Sequence, residues 1–416
     1  MALRYLLPGQ MNYMSNNGYE VVMISADGRE LPEVLEQEKC RHIVVPMTRK
    51  ITPIQDLKCL WQLIKIFRRE RPDIVHSHTP KAGLLGMLAA RITGVKTRIH
   101  TVAGLPMMVE TGLKFRLLQA IEKITYGAAN HVWPNSQSLL DYIRKQKLTS
   151  SAKLNMIGNG STNGINTNRF NADLLDPVKM EQIKEQINYN ADNTYLLSIG
   201  RLVKDKGIVE TVNVFTSLQT TNEALRLILV GDFEESLDPL PPATISEIKS
   251  NPSIIHIPWS HDVEYYMSLS HNFIFASHRE GFPNVLLQAG AMQLPVICSH
   301  ITGNVDIIQQ NKTGLIFTPG NQTQLQNLIQ YAISHKQVVQ DMAKTLKEKV
   351  VGQYQRNYIW QKIHEQYAII TVPQRSTETL LQRLGNVAVA MWKQPVIVWD
   401  YFILSLQMRR LSRRPS

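Results

Sequence analysis

A chain of 416 residues is longer than one ordinary hydrophobic core supports and suits two domains of common size. An apolar fraction of 44% with 19% charged residues belongs to a folded globular protein and excludes intrinsic disorder. The net charge of +11 is concentrated in residues 1–160 (22 Lys+Arg against 12 Asp+Glu) and 371–416 (7 against 2), which points to an anionic surface or phosphate-bearing substrate; no basic stripe interleaved with aromatics accompanies it, which speaks against nucleic acid.

The N-terminal run MALRYLLPGQM is too short and carries too little apolar length for a signal peptide or a membrane span, so a cytosolic chain is expected. Cys40, Cys59 and Cys298 lack metal-ligand spacing and read as reduced, inert thiols. Short apolar runs predict strands at 20–25, 42–46, 73–78, 97–102 and 131–136, with helices over 56–70 and 83–94. The pattern pauses over 158–192, which is Asn- and Gly-rich and then polar, and predicts an interdomain connection. It resumes with strands at 195–200, 226–231, 254–258, 272–277 and 295–299 and helices over 208–219 and 263–270. Strand–helix alternation, with runs too apolar to face water, predicts an α/β protein of two doubly wound, Rossmann-like domains facing across a cleft. Ligands of such sheets sit beyond the carboxyl ends of the strands, where Gly200 and Arg201, Gly231 and Asp232, and Ser277 to Glu280 fall.

Two segments carry chemistry. HREGFPNVLLQAGAMQLPVI (278–297) reads as a turn feeding a short helix opened by Pro283, whose first backbone N–H groups form an anion site. GRLVKDKG (200–207) leaves a strand with Gly200, sets Arg201 at the turn and brings Lys206 to the start of the next helix. Two cations beside a helix N-terminus bind a diphosphate, each charge-assisted hydrogen bond contributing roughly 1.5–3 kcal/mol. The plainer readings are a solvated basic loop at 200–207, a turn-capping Glu280, a turn-closing Asp232 and a core His100. No Asp-x-Asp run is present, and the histidines, including His76 and His78 around Ser77, lack ligand spacing, so neither a metal nor another cofactor is expected.

In order and separation these segments, with LILVGDFEE, GNVDIIQQNKTGLIF, DIVHSHTPKAGLLGMLAA, RIHTVAGL, VWPNSQS and NGINTNRF, resemble the retaining glycosyltransferases of family four with the GT-B fold, which include bacterial capsule and lipopolysaccharide transferases. The resemblance runs from about residue 8 to 370. It implies an acceptor-side domain at 1–157, the connection at 158–192, a nucleotide-sugar donor domain at 193–352, a helix returning to the first domain at 353–370 and a basic amphipathic tail at 371–416. It implies Arg201, Lys206 and Gly9 at the donor diphosphate, and Glu280 and His100 beside the transferred sugar. Phe282, Pro283, Asn284 and Val285 supply backbone contacts, and Gln288 lies at the ribose.

Three positions depart from that pattern. Gln288 replaces a glutamate, which predicts altered ribose contact worth on the order of 1 kcal/mol. Asp306 stands where a longer Glu is common, and the apolar strand that opens the first domain is missing from its central place. That gap predicts either a late-assigned start or an unstable or inactive product. The expected activity is transfer of a sugar, with retention, from a nucleotide diphosphate, with uridine the expected base, to a polyprenyl-diphosphate saccharide. The donor, the lipid-linked acceptor and a membrane surface are the partners. A nucleotide-sugar-binding protein without turnover and a GT-B-like epimerase are the alternatives. In the tail, Trp392, Trp399 and Tyr401 with Arg409, Arg410, Arg413 and Arg414 form an interfacial anchor or an extension without function.

Overall fold

The computed structural model describes residues 2–48, 52–235 and 238–371, so the tail sequence lies outside the described residues. The described chain forms two compact units, one of 1–135, 139–157 and 360 onward, the other of 136–138 and 158–359. All strand pairings are parallel.

The first unit contains β1 (Val22–Ser25), β2 (Arg41–Val44), β3 (Ile74–Ser77), β4 (Thr97–Val102) and β5 (His131–Pro134). These are the expected runs with ends moved by no more than two residues; β4 matches its run, and β2 begins one residue early. They do not make one sheet: β1 and β2 pair alone, and β3, β4 and β5 form a separate sheet in that order. A cavity of about 2860 Å³ is lined by every residue of β1 and of β3. The break falls at the place where the sequence leads us to expect a missing strand. Beside it the helices Pro53–Glu70 and Pro80–Thr93 share a core in which Cys59, Leu63 and Phe67 meet Leu85, Ala89 and Ala90. The small residues of the second helix let the two backbones approach.

One of the buried carboxyls of this unit has its titration shifted by burial. Glu122, on the helix Gly112–Ala128, is 5% exposed, and burial pushes its carboxyl up to about 7. A carboxyl raised above its unfolded value binds more protons in the folded state, so stability falls as pH rises from about 4.5 to about 7. Glu122→Gln is therefore expected to flatten the pH dependence of thermal melting across that window and to raise stability at pH 8 by about 2–3 kcal/mol. An unchanged pH profile in the variant refutes this assignment.

The second unit holds β6 (Thr194–Ile199), β7 (Leu225–Val230), β8 (Ile254–Ile257), β9 (Asn272–Phe275), β10 (Val296–Ser299) and β11 (Leu315–Phe317), in the sheet order β11-β10-β9-β6-β7-β8. Its two faces bury separate cores. Tyr195, Leu197, Ile228, Val230, Phe273 and Phe275 point into one, and Leu196, Leu227, Leu229, Ile274 and Ile297 into the other. Burial on both faces is the reason these strands read as continuous apolar runs. The stretch 158–192 packs as part of this unit: Ile165, Phe170, Ile183 and Ile187 sit in the first of the two cores. β11 is absent from the strands expected by periodicity, because three residues between NKTG and a turn are too few to show a period.

Candidate active site

The strand order of the second unit reverses between β6 and β9. β6, β7 and β8 run outward in one direction, and β9, β10 and β11 in the other. At such a switch point the two loops leaving neighbouring strands diverge and open a crevice at the carboxyl edge. The loops here are Gly200–Gly207, after β6, and Ala276–Pro283, after β9, the two segments singled out by sequence.

Glycine closes the loops onto one another. Gly207 has φ +68°, and a Cβ there would run into the Ala276 carbonyl. Gly303, at φ +85°, approaches the Gly281 carbonyl in the same way. Both positions combine a left-handed backbone with no room for a side chain, so the loop geometry depends on glycine.

Close approach at Gly207 sets Lys206 against Glu280, and the ammonium donates to Oε1 of the carboxylate. Both side chains are mostly buried, at 20% and 15% exposure. The Ser277 hydroxyl, fully buried, also donates to Glu280 Oε1, at 2.9 Å. Behind it the Ser299 hydroxyl donates to the Ser277 carbonyl, and Asn304 Nδ2 donates to the Ser299 carbonyl at 2.9 Å. Glu280 is thus held by a column of hydrogen bonds reaching to the end of β10. Two further pairs lace the loops: Arg279 with Asp205 at 3.0 Å and His278 Nε2 with Glu210 at 2.7 Å. The hydrogen bond to Glu210 raises the His278 imidazole above its ordinary range.

Arg201 is more open, with 47% of its side chain exposed and Glu234 at 3.9 Å. The helix Asn284–Ala291 follows Pro283 and buries Leu286, Leu287 and Ala289–Ala291, which fixes its N-terminal end. Asn284, Val285 and Gln288 remain partly exposed, and Asn284 and Gln288, four residues apart, share one face. Phe282 is 8% exposed and packs on Tyr354, ring centroids 5.5 Å apart, so its side chain supports the turn from below. Asp306 accepts from the Gly303 N–H at 3.1 Å and the Ser138 N–H at 2.9 Å, a turn-holding role that suits its short reach. Asp232 likewise closes a turn, accepting from the Trp259 N–H at 3.0 Å.

The second unit thus brings Lys206 and Glu280 together, with Arg201 and the helix start on flanking loops of the same strand ends. Gly9 and His100 belong to the first unit. Gly9, at φ +83°, donates its N–H to the buried Glu38 carboxylate at 2.5 Å and faces the Trp360 indole. His100 is 2% exposed, shares a 2.8 Å hydrogen bond with the Ser77 hydroxyl and lies beneath Gly83. Burial lowers its imidazole to about 4, so it is neutral at physiological pH. His76 bonds Tyr367 Oη at 2.6 Å and Thr101 Oγ1 at 2.7 Å and stacks on His78. Sequence reasoning missed the partners rather than the positions. Ser299 behind Ser277, Glu38 against Gly9 and Tyr367 against His76 carry no local motif and are brought in only by tertiary packing. No group of three His, Cys, Asp or Glu residues suited to a metal occurs among the described residues.

Chemically, the second unit presents two cations and a helix N-terminus around one anchored carboxylate. That arrangement attracts a polyanion and offers an acceptor for hydroxyl groups.

Comparison with known proteins agrees on both units. Residues 8–160 match the family model described as glycosyl transferase 4-like domain, and residues 179–349 match that described as glycosyl transferases group 1. Over 362 residues the chain is 31% identical to the capsular polysaccharide biosynthesis glycosyltransferase CapM of Staphylococcus aureus, covering 87% of this chain and 93% of that protein. It is 22% identical over 348 residues to the UDP-Gal:alpha-D-GlcNAc-diphosphoundecaprenol alpha-1,3-galactosyltransferase of Escherichia coli, covering 82% and 87%. Among solved structures, a glycosyltransferase from Rickettsia africae aligns with a TM-score of 0.73 at 21% identity, covering 88% of this chain and 94% of that one. HepE of Anabaena in complex with UDP-glucose aligns with a TM-score of 0.71 at 18% identity, covering 86% and 94%.

Proposed function

Because the chain belongs to the family-four GT-B glycosyltransferases of capsule and lipopolysaccharide type, and is an enzyme of that class, we propose that it moves a hexosyl or N-acetylhexosaminyl group from a UDP-sugar to a polyprenyl-diphosphate-linked saccharide, with retention. The observation that carries the reading is the Lys206–Glu280 pair at the strand switch point. The carboxylate engages the ammonium. A donor diphosphate takes over Lys206 and Arg201, and the freed Glu280 accepts hydroxyl hydrogens of the transferred sugar.

The bond that breaks joins the anomeric carbon to the diphosphate, and negative charge gathers on the leaving oxygen. Lys206, Arg201 and the N-terminal end of the helix Asn284–Ala291 place fixed positive potential there, which stabilises the departing group. Retention requires the acceptor oxygen to arrive on the face the diphosphate leaves. On this reading Asn284 and Val285 hold phosphate and sugar through their amides, and Gln288 meets the ribose with an amide that both donates and accepts. On the same reading Gly9 contributes to the donor diphosphate contact, and the neutral His100, set by Ser77, acts beside the transferred sugar. The E. coli relative and one from Campylobacter jejuni are named for diphospho-undecaprenol sugars, which supports a lipid-linked acceptor. No helix of the described residues is long and apolar enough to cross a membrane. The excess of basic residues in 1–160 favours attraction to an anionic leaflet, which supports a peripheral position on the inner face of the cytoplasmic membrane.

The test is incubation of the purified chain with a panel of UDP-sugars and polyprenyl-diphosphate saccharides. UDP release that requires the lipid, with an axial anomeric product by NMR, is the expected result. Tight UDP binding with no release favours a nucleotide-sugar-binding protein, a reading that the broken first sheet supports. An inverted product overturns retention alone.

A further inference from the structure

The helix Pro53–Glu70 has two apolar faces, and only one of them is covered. Cys59, Leu63, Ile66 and Phe67 are buried against the helix Pro80–Thr93. On the opposite side Ile54, Leu57 and Trp61 stand in water, at 67%, 68% and 58% exposure. Winding at about 3.6 residues per turn places these three, with Lys58, Lys65 and Arg68, within about one third of the helix circumference. Scattered exposed apolar side chains are ordinary; three large ones within about two turns make a patch.

The charges on this helix are sorted in the same way. Lys58, Lys65, Arg68 and Arg69 are all exposed, and the Lys65 ammonium lies over the Trp61 indole, 3.3 Å from the ring centre. Asp56 and Glu70, the acids of the helix, are turned away from the stripe. Asp56 pairs with Lys81 at 2.8 Å, and Glu70 with Arg41 and Arg69. The exposed stripe is therefore apolar over its first half, cationic over its second and free of acid. The helix follows β2, so its apolar half starts from the carboxyl edge of a parallel pair, the edge on which substrates of such sheets gather.

We propose that this face docks the protein on an anionic bilayer. Ile54, Leu57 and Trp61 enter the headgroup boundary, and Lys58, Lys65, Arg68 and Arg69 meet the lipid phosphates. An indole flanked by lysines is suited to that boundary, where one part of the surface is apolar and the other wet. Charge selects this occupant over two others. Residues 371–416 hold 7 Lys+Arg against 2 Asp+Glu, and a second copy presents the same cations, so both are repelled. The purpose of docking rests on the reading of a lipid-linked acceptor, since the helix holds the enzyme where such a substrate lies. Vesicle binding tests the face without any transfer.

The experiment is co-sedimentation of the full chain with vesicles of phosphatidylglycerol and phosphatidylcholine, and with phosphatidylcholine alone. Trp61→Ala is expected to weaken binding to the anionic vesicles by about tenfold. Lys65→Gln is expected to weaken it by about fivefold, an effect that fades as salt is added. Both side chains are exposed, so neither variant changes the melting temperature. Parental affinity in both variants overturns the proposal. If Arg409→Gln, Arg410→Gln, Arg413→Gln and Arg414→Gln together abolish binding while Trp61→Ala does not weaken it, docking belongs to the tail and the proposal fails. Self-association without lipid that Trp61→Ala abolishes assigns the face to a second copy and also overturns it. With a short-chain, water-soluble polyprenyl-diphosphate saccharide, Trp61→Ala is expected to transfer sugar at the parental rate. A slower rate makes Trp61 part of the acceptor site instead and overturns the proposal. The expected vesicle binding in a parent chain that transfers no sugar supports the docking face and removes the reaction.

Discussion

Glu280→Gln is expected to lower kcat for sugar transfer by about 10²–10³-fold while leaving UDP affinity unchanged or several-fold tighter. The side chain is isosteric, and the Ser277 hydroxyl, which donates to Oε1 at 2.9 Å, still finds an acceptor, so the turn keeps its shape. What is lost is a full negative charge facing the sugar hydroxyls. What is gained is a Lys206 ammonium no longer held by a carboxylate, and therefore freer to meet phosphate. Calorimetric titration with UDP and single-turnover kinetics separate the two effects. Unchanged turnover removes Glu280 from the reacting centre. A parallel loss of UDP affinity and melting temperature makes it a purely structural residue.

Lys206→Ala is expected to weaken UDP binding by about 10–150-fold, the equivalent of 1.5–3 kcal/mol for one charge-assisted contact, with a further fall in kcat. The direction follows from burial. Lys206 is 20% exposed and faces one carboxylate, so its removal leaves Glu280 as an unneutralised charge beside an incoming polyanion. Arg201→Ala is expected to cost less, about tenfold, because nearly half of that side chain is in water and screening weakens it. Uridine, which lacks phosphates, is the control ligand. Equal losses for uridine and UDP would place Lys206 away from the diphosphate.

The geometry of the Lys206–Glu280 site was legible in sequence because it is local. Gly200, Arg201, Lys206 and Gly207 occupy one loop, and Glu280 to Gln288 one turn and helix, so spacing along the chain fixes spacing in space. The strands were legible for a related reason, since burial on both faces leaves long apolar runs such as Leu225–Val230. What spacing does not encode is who meets whom across the fold. Ser299 and Asn304 reach Ser277 only because β10 lies beside β9. Tyr367 reaches His76 across almost three hundred residues of chain. The packing of the stretch 158–192 was not legible for the opposite reason. Its Asn- and Gly-rich start reads as a linker, yet Ile165 and Phe170 are isolated apolar residues without period that pack fully into the second unit.

The helix Arg356–Ile370 has a consequence for anyone who divides the gene. Its first turn belongs to the second unit, and from Trp360 onward it packs with the first, where Trp360 faces Gly9 and Tyr367 bonds His76. A stop codon placed after the second unit strips the first of its closing helix. An isolated first half made from residues 1–157 is expected to lose those contacts too. The first half is therefore closed by sequence translated after the second, so its gene segment cannot be cut at the boundary between them without losing that helix.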